Sequence, residues 1–239
     1  PMTSLANIGG MEQIDLLPDG DYVVANYEDK TLMRVTPAGS VTTITADVPT
    51  YVVRVGPDGM VYATNGESGT NSRVFRIDPD TGEKTVFISG SDAEPPFEPR
   101  VLDFSPDHDR MYFGTHESEV YVVDLDEDLN PVGVPTILAR DVGGWHDGLG
   151  VDICGYIYIA SYNDQDAYRI SPDGSEVVKI LNSSFSDGMY GHGIAWGSGV
   201  GGWLEDALYM PQPNNGATVG EARIGVPYRT WGGVVLNRP

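Results

Sequence analysis

The feature that most constrains the fold of this chain is a strand-and-turn pattern that recurs five times. Short segments alternate apolar and polar residues and then run into Pro-Asp-Gly or a variant of it, as in EQIDLLPDG at 12–20 and YVVRVGPDG at 51–59. Alternation with a period of two indicates a β-strand, and Pro, Asp and Gly favour the tight turn of a hairpin. The five segments begin at Glu12, Tyr51, Arg100, Asp147 and His192.

Each segment is followed by further short strands, so that a unit contains about four. In the fourth unit these are IYIA at 157–160, AYRI at 167–170 and EVVKI at 176–180. The first strands begin 39, 49, 47 and 45 residues apart. This arrangement predicts an all-β fold, a β-propeller of four-stranded antiparallel blades, because a β-sandwich would not repeat the same columns. We expect five blades, with six as the alternative, in a single domain over residues 1–239. Residues 4–8 read as a strand that closes the ring beside the last unit.

Composition narrows the range of partners. The 239 residues carry a formal net charge of -21, and a field of that sign repels phosphate backbones and anionic lipid headgroups. We therefore expect neither nucleic acid nor membrane as a partner. The charge suits either solubility in a salty or extracellular setting or a cationic ligand. We expect a secreted or periplasmic protein, and the opening Pro-Met-Thr suggests a removed leader or tag. The single cysteine, Cys154, excludes an intrachain disulfide.

The residues that begin the first strands form the first candidate site. First strands of propeller blades line the central channel, so these residues should meet at one mouth. The third residue of each of the five segments is apolar, whereas the first residue of each is polar. Two carboxylates, a histidine, an arginine and a tyrosine on one axis suit a polar ligand or a cation. Alternatively, the mouth is simply solvated, with Arg100 neutralising Glu12 and Asp147.

A second polar column lies where each second strand ends. All five of its side chains are uncharged hydrogen-bonding groups, and they should return to the same face as the mouth. They are candidates for an outer ring of ligand contacts, together with Tyr51 and Arg100, or alternatively for capping strand ends. The column consists of Asn26, Asn65, Thr115, Ser161 and Gln212.

Two histidines and two tryptophans flank the same segments. His146 precedes Asp147, and a neutral histidine beside a carboxylate is able to act as a general base near pH 7; His192 is the other candidate. Either is otherwise a simple hydrogen-bonding residue. Trp145 and Trp203 are positioned to stack on a sugar or lactone ring. The acidic runs at 124–128 and 163–166 loosely resemble calcium-binding loops but lack their full spacing, so we read them as solvated turns.

The stretch DGLGVDICGYIYIASYNDQDAYRISPDG at 147–174 resembles the gluconolactonase/regucalcin-like (senescence marker protein) family of β-propellers. NHL-repeat and streptogramin-lyase-like propellers share the Pro-Asp-Gly turn pattern. The resemblance implies a divalent cation on the channel axis, and we expect Ca²⁺. Its aspartate ligand corresponds to Asp147 and its glutamate to Glu12, while the family's asparagine columns correspond to Tyr51 and Arg100. It further implies that the cation polarises a lactone carbonyl while Asp147, His146 or His192 activates water.

Three functions therefore remain open at the level of sequence. The first is a metal-dependent, lactonase-like hydrolase that acts on a small hydroxylated lactone or ester at the channel mouth. The second is a non-catalytic propeller that binds a carbohydrate, peptide or protein through the same mouth. The third is a lyase in which His146 or His192 acts as the base. Asp147 with Glu12 favours the first function, and Arg100 with Tyr51 favours the second.

Overall fold

The structure, a computed structural model, describes residues 5–65, 71–93, 95–164, 166–182, 193–196, 204, 206–212 and 218–223. They fall into two compact units that meet in the sequence between Arg100 and Val101. Within these residues, nineteen strands form five sheets. In each sheet, strands that are consecutive in the chain are hydrogen-bonded neighbours. All the pairs whose register is defined are antiparallel.

The first two sheets have four strands each. The first consists of β1 (Met11–Leu16), β2 (Tyr22–Asn26), β3 (Thr31–Val35) and β4 (Val41–Ala46). The second consists of β5 (Val53–Val55), β6 (Val61–Thr64), β7 (Arg73–Ile77) and β8 (Lys84–Ser89). A short 3-10 helix, Gly90–Asp92, follows β8.

The remaining three sheets repeat the same plan. The third consists of β9 (Pro99–Phe104), β10 (Arg110–Thr115), β11 (Val120–Leu125) and β12 (Pro131–Ala139). The fourth consists of β13 (His146–Val151), β14 (Ile157–Ser161), β15 (Asp166–Ile170) and β16 (Val177–Asn182). The fifth contains three strands among the described residues, β17 (Ala195–Trp196), β18 (Ala207–Gln212) and β19 (Thr218–Arg223).

These sheets confirm the predicted all-β propeller of four-stranded antiparallel blades. The blade number and the single domain over residues 1–239 stay predictions. Residues 4–8 were predicted to form a strand that closes the ring. This prediction is wrong for residues 5–8, the part of the segment that the structure describes, because they form no strand. The Leu5 carbonyl instead lies against the turn between β3 and β4, where a Cβ on Gly39 would approach it to 2.4 Å.

Turns between first and second strands follow the Pro-Asp-Gly chemistry. Gly20 and Gly59 adopt the left-handed conformation that closes such turns, with φ of 93° and 77°. The aspartate of the turn also reaches the second strand: Tyr62 donates a hydrogen bond through its hydroxyl to Asp58 at 3.0 Å. Burial and the Asp58 carboxylate raise the pKa of Tyr62. Asp58 therefore anchors a core tyrosine as well as the turn.

Side chains on first strands connect neighbouring blades within each unit. In the first unit, Gln13 accepts a hydrogen bond from the Val53 amide at 3.0 Å, and Asp15 accepts one from the Val55 amide at 2.9 Å. In the second unit, the buried Asp103 carboxylate accepts from the Val151 amide at 3.2 Å. A first strand pairs with the second strand on one side only, so its other edge has no ladder partner in its own sheet. These side chains therefore satisfy the amide groups of that free edge.

Apolar residues fill the space between blades. Val53 and Val61 of the second blade pack in one buried cluster with Val23 and Leu32 of the first. A second cluster joins the fourth and fifth blades through Tyr158, Ala160, Ile194, Leu208 and Met210. In the part of the chain that the structure describes, no helix is long and apolar enough to cross a membrane.

Candidate functional site

Both carboxylates predicted as metal ligands occupy bulges in the first strands of their blades. Between β1 and β2 the register runs from Met11↔Asn26 to Ile14↔Val24, so Glu12 and Gln13 together oppose one residue. Between β13 and β14, Asp147 is the extra residue, because His146 pairs with Ser161 and Gly148 with Ala160. A bulge leaves its extra residue outside the regular pairing and redirects its side chain, and bulges are frequent next to active sites. Glu12 is exposed and Asp147 is half-buried.

Tyr51 lies in the corresponding irregular position of the second blade. We predicted that a strand begins at Tyr51, but β5 begins at Val53. The Tyr51 amide donates to the Thr64 carbonyl at 3.0 Å, while the Thr64 amide donates to the Val52 carbonyl at 3.0 Å. Tyr51 and Val52 therefore both oppose Thr64, and the regular ladder begins at Val53, two residues later than the alternation suggested.

Arg100 and Tyr51, both predicted ligand-binding residues, form a stacked pair in the first unit. The guanidinium carbon of Arg100 lies 4.5 Å from the centroid of the Tyr51 ring, within the range of a cation–π contact. Tyr27 extends the stack, with its ring centroid 4.5 Å from that of Tyr51 and the planes inclined by 44°. The sequence analysis missed Tyr27, although its position directly after Asn26 is a usable signal.

Four members of the second polar column are buried and bonded to neighbouring loops. Asn26 donates to the Gly9 carbonyl at 3.0 Å, and Asn65 donates to the Asn71 carbonyl at 2.8 Å. Thr115 donates to the Glu119 carbonyl at 3.0 Å, and Ser161 donates to the Gly144 carbonyl at 2.9 Å. These bonds favour the capping alternative, since each polar group holds a strand end or loop. The fifth member, Gln212, ends β18 as predicted.

His146 begins β13 and is fully buried. The Thr115 amide donates a hydrogen bond to its Nδ1 at 3.0 Å, and its Nε2 lies 3.2 Å from the Val142 carbonyl. An amide donor at Nδ1 requires the proton on Nε2, which therefore donates to Val142. Both ring nitrogens of the neutral histidine are occupied by backbone groups, which favours a structural role over that of a base. His192 and Trp203 lie outside the described residues.

Two carboxylates of the acidic runs, Asp126 and Asp166, have structural partners. Asp126 accepts the amides of Asp128 and Asn130 at 3.0 and 2.7 Å, so the run at 124–128 ends β11 and continues into a turn. Asp166 pairs with Lys179 across the β15–β16 ladder. In the part of the chain that is described, no group of three or more His, Cys, Asp or Glu side chains lies close enough together to hold a metal ion.

The fold and the bulged first strands thus define a propeller whose described candidate residues Glu12, Tyr51, Arg100 and Asp147 lie at or just before the starts of first strands in successive blades. A family model described as "SMP-30/Gluconolactonase/LRE-like region" matches residues 52–183, more than half of the chain. The chain belongs to this SMP-30/gluconolactonase/LRE-like family, as the sequence resemblance predicted. A comparison with curated protein sequences finds no match.

Solved structures with the same fold include proteins whose names state different functions. A calcium-binding regucalcin from Agrobacterium tumefaciens is 19% identical, with a TM-score of 0.69 over 92% of this chain and 77% of that one. A gluconolactonase from Xanthomonas campestris is 13% identical, with a TM-score of 0.71 over 94% and 74%. Virginiamycin B lyase from Staphylococcus aureus is 17% identical, with a TM-score of 0.59 over 90% and 70%. At these identities the likeness shows the fold alone.

Proposed function

We propose that this protein is a metal-dependent, lactonase-like hydrolase that acts on a small hydroxylated lactone or ester. The observation that carries the proposal is the bulge at Asp147, which sets a half-buried carboxylate out of the ladder inside the segment that matches the family model. Glu12 occupies the corresponding bulge of the first blade, so the two carboxylates of the proposed site share one structural setting.

The donor chemistry of these two residues fits a hard divalent cation. Carboxylate oxygens are ligands that Ca²⁺ prefers, and carbonyl groups and water complete its usual six to eight positions. Glu12 and Asp147 would hold the ion. Arg100, which stands in a family asparagine column, has its guanidinium against the Tyr51 ring. When bound, the cation would polarise the lactone carbonyl and make a bound water more acidic.

The remaining chemistry falls to Asp147. Its carboxylate would accept a hydrogen bond from the attacking water, orient it and take its proton as the water oxygen bonds to the acyl carbon. The ring C–O bond then breaks, and the proton passes to the departing alkoxide. His146 does not take this part, because both of its ring nitrogens bond to the backbone. His192 is the second candidate base.

The substitution Asp147→Asn tests this proposal. It keeps the size of the side chain but removes a ligand charge and the proton acceptor, so we expect kcat/KM for glucono-δ-lactone with millimolar Ca²⁺ to fall about 100-fold or more. Hydrolysis is followed by titrating the acid released. The matched control is Asp128→Asn, which removes an exposed carboxylate from the β11–β12 turn and should leave the rate unchanged. A kcat/KM in Asp147→Asn equal to that of Asp128→Asn and of the parent protein would exclude this role for Asp147.

A non-catalytic binding propeller is the second candidate function. The stack of Tyr27, Tyr51 and Arg100 favours it, because a guanidinium over one of two contacting aromatic rings suits an anionic or ring-bearing ligand. The two functions separate on turnover: a binding protein retains glucono-δ-lactone without releasing acid above the uncatalysed rate, whatever divalent cation is added. A lyase with His146 as its base is disfavoured by the same backbone bonds that occupy the ring.

A further inference from the structure

Three aromatic side chains of the second unit, His116, Trp145 and Tyr162, form a group that we call the aromatic patch. The Trp145 ring centroid lies 5.0 Å from that of His116 and 5.8 Å from that of Tyr162, with the ring planes inclined by 55° and 39°. Trp145 is 39% exposed, while its two neighbours are half-buried. Trp196, by contrast, packs edge-on against the core residue Tyr158. Core packing therefore explains Trp196 but not the exposed indole of Trp145.

The loop that carries Trp145 is held in a conformation that costs free energy. Trp145 and Asp141 have φ of 55° and 60°, in the left-handed region that is rare for residues other than glycine. Backbone hydrogen bonds fix the loop: the Trp145 amide donates to the His116 carbonyl, and the Tyr162 amide donates to the Trp145 carbonyl, both at 2.9 Å. Strained residues of this kind persist only where the surroundings impose them, and they cluster at binding sites. The fold thus keeps the exposed indole in place at a cost in stability.

Carboxylates accompany the aromatic patch on each of its three chain segments. Glu117, Asp141 and Asp164 are all exposed, and each lies within four residues of a ring residue in the sequence. The Asp164 carboxylate also approaches the loop before Trp145, since a Cβ on Gly143 would lie 2.6 Å from its Oδ2. The exposed surface at the three rings is therefore acidic as well as aromatic.

This combination suits a flat cationic group. The face of an indole ring attracts cations, and carboxylates beside it strengthen that attraction and disfavour anions. The three rings contact one another, so they do not form a cage around an ammonium group, whereas a planar guanidinium stacks on a single exposed face and keeps its in-plane N–H donors for carboxylates. Arg140, the basic residue of the same loop, is already paired with Glu119 at 3.0 Å. We expect the guanidinium to come from another molecule.

We infer that the aromatic patch is the docking site for an arginine-bearing segment of a partner protein. Carboxylates on three separate segments match several cationic groups along one extended chain better than a single small cation. Tryptophan, tyrosine and arginine are also the residues that contribute most at protein–protein interfaces. The net charge of -21 attracts any basic segment, whereas stacking on Trp145 selects arginine over lysine. The inference goes beyond the proposed hydrolase and does not depend on it.

The test titrates the full chain with two terminally blocked hexapeptides, one alternating glycine with arginine and the other glycine with lysine. Calorimetry is done in about 150 mM NaCl, which screens attraction to the rest of the acidic surface. We expect the arginine peptide to bind about fivefold more tightly than the lysine peptide, Trp145→Ala to weaken it about tenfold and Trp145→Phe to restore most of that loss. Glu117→Gln should weaken both peptides, and the matched control Asp128→Asn should weaken neither.

The substitution Trp145→Gly separates strain from binding. It removes the indole as Trp145→Ala does, but it tolerates a φ of 55°. It should therefore fail to bind the arginine peptide and yet melt about 2–4 °C above Trp145→Ala, as followed by circular dichroism, which also establishes that each variant is folded. A melting temperature at or below that of Trp145→Ala would show that the fold does not impose the strained conformation, and would overturn the inference.

Three further results would overturn the docking site. Equal affinity of the parent protein for the two peptides would mean attraction by charge alone. Equal affinity of the parent and of Trp145→Ala for the arginine peptide would exclude stacking on the indole. Binding of free argininamide as tight as that of the arginine peptide would mean a site for a small cation instead of a protein segment. None of these titrations measures lactone hydrolysis, so failure of the docking site and failure of the hydrolase are separate results.

Discussion

Replacing His146 with alanine is expected to lower the free energy of unfolding by about 3 kcal/mol or more. The substitution removes the acceptor for the Thr115 amide and the donor to the Val142 carbonyl in a fully buried position. Each orphaned backbone group costs about 1–3 kcal/mol, and the lost ring leaves a cavity as well. Urea unfolding followed by circular dichroism measures the change.

Two partial replacements divide this effect between the hydrogen bonds. In His146→Asn the side-chain oxygen takes the place of Nδ1, and in His146→Gln the side-chain nitrogen takes the place of Nε2. Each keeps one of the two bonds, so both variants should be more stable than His146→Ala and less stable than the parent. If His146→Ala unfolds at the parent urea concentration but has lost catalysis, His146 is a base and the structural assignment is wrong.

The second large effect is expected for Gly148→Val. A Cβ at Gly148 would lie 2.4 Å from the Ile194 nitrogen and 2.5 Å from the Gly193 carbonyl carbon, so the clash is with backbone that cannot rotate away. The fourth and fifth blades would have to separate at β13, which disrupts the cluster around Ile194. We expect a loss of about 3 kcal/mol in the free energy of unfolding, measured as above.

Gly9→Ala is the matched control for Gly148→Val. A Cβ there meets no atom within 4 Å and the residue is exposed, so the substitution should be neutral or slightly stabilising. A Gly148→Val variant as stable as Gly9→Ala would mean that the fourth and fifth blades do not pack at this position.

The period-two alternation predicted the strands well because it reflects burial on the two faces of a sheet. Val53, Leu102 and Leu149, the third positions of three first strands, are buried as a propeller core requires, although Ile14 is 46% exposed. The alternation assumes a regular ladder, so it could not predict the bulge at Asp147 or the late start of β5 after Tyr51.

The chemistry of individual polar groups was harder to predict than the strands. Asn26 and Ser161 were correctly expected at strand ends, yet nothing in a single sequence says whether such a group bonds to a loop or to a ligand. His146 was interpreted as a candidate base or a simple hydrogen-bonding residue, whereas it accepts a hydrogen bond from the Thr115 amide, 31 residues away in the sequence. A long-range hydrogen bond of this kind leaves no local sequence signal.

We propose that Glu12 and Asp147 are ligands of a divalent cation, and the melting temperature measured with and without Ca²⁺ tests this proposal most directly. Ligand binding to the folded state alone stabilises by mass action, so Ca²⁺ at 100 times its dissociation constant should raise the parent melting temperature by about 5 °C or more. Glu12→Gln and Asp147→Asn should lose that rise, and Asp128→Asn should keep it. A parent protein without any rise, or an equal rise in Asp147→Asn, would contradict the proposal.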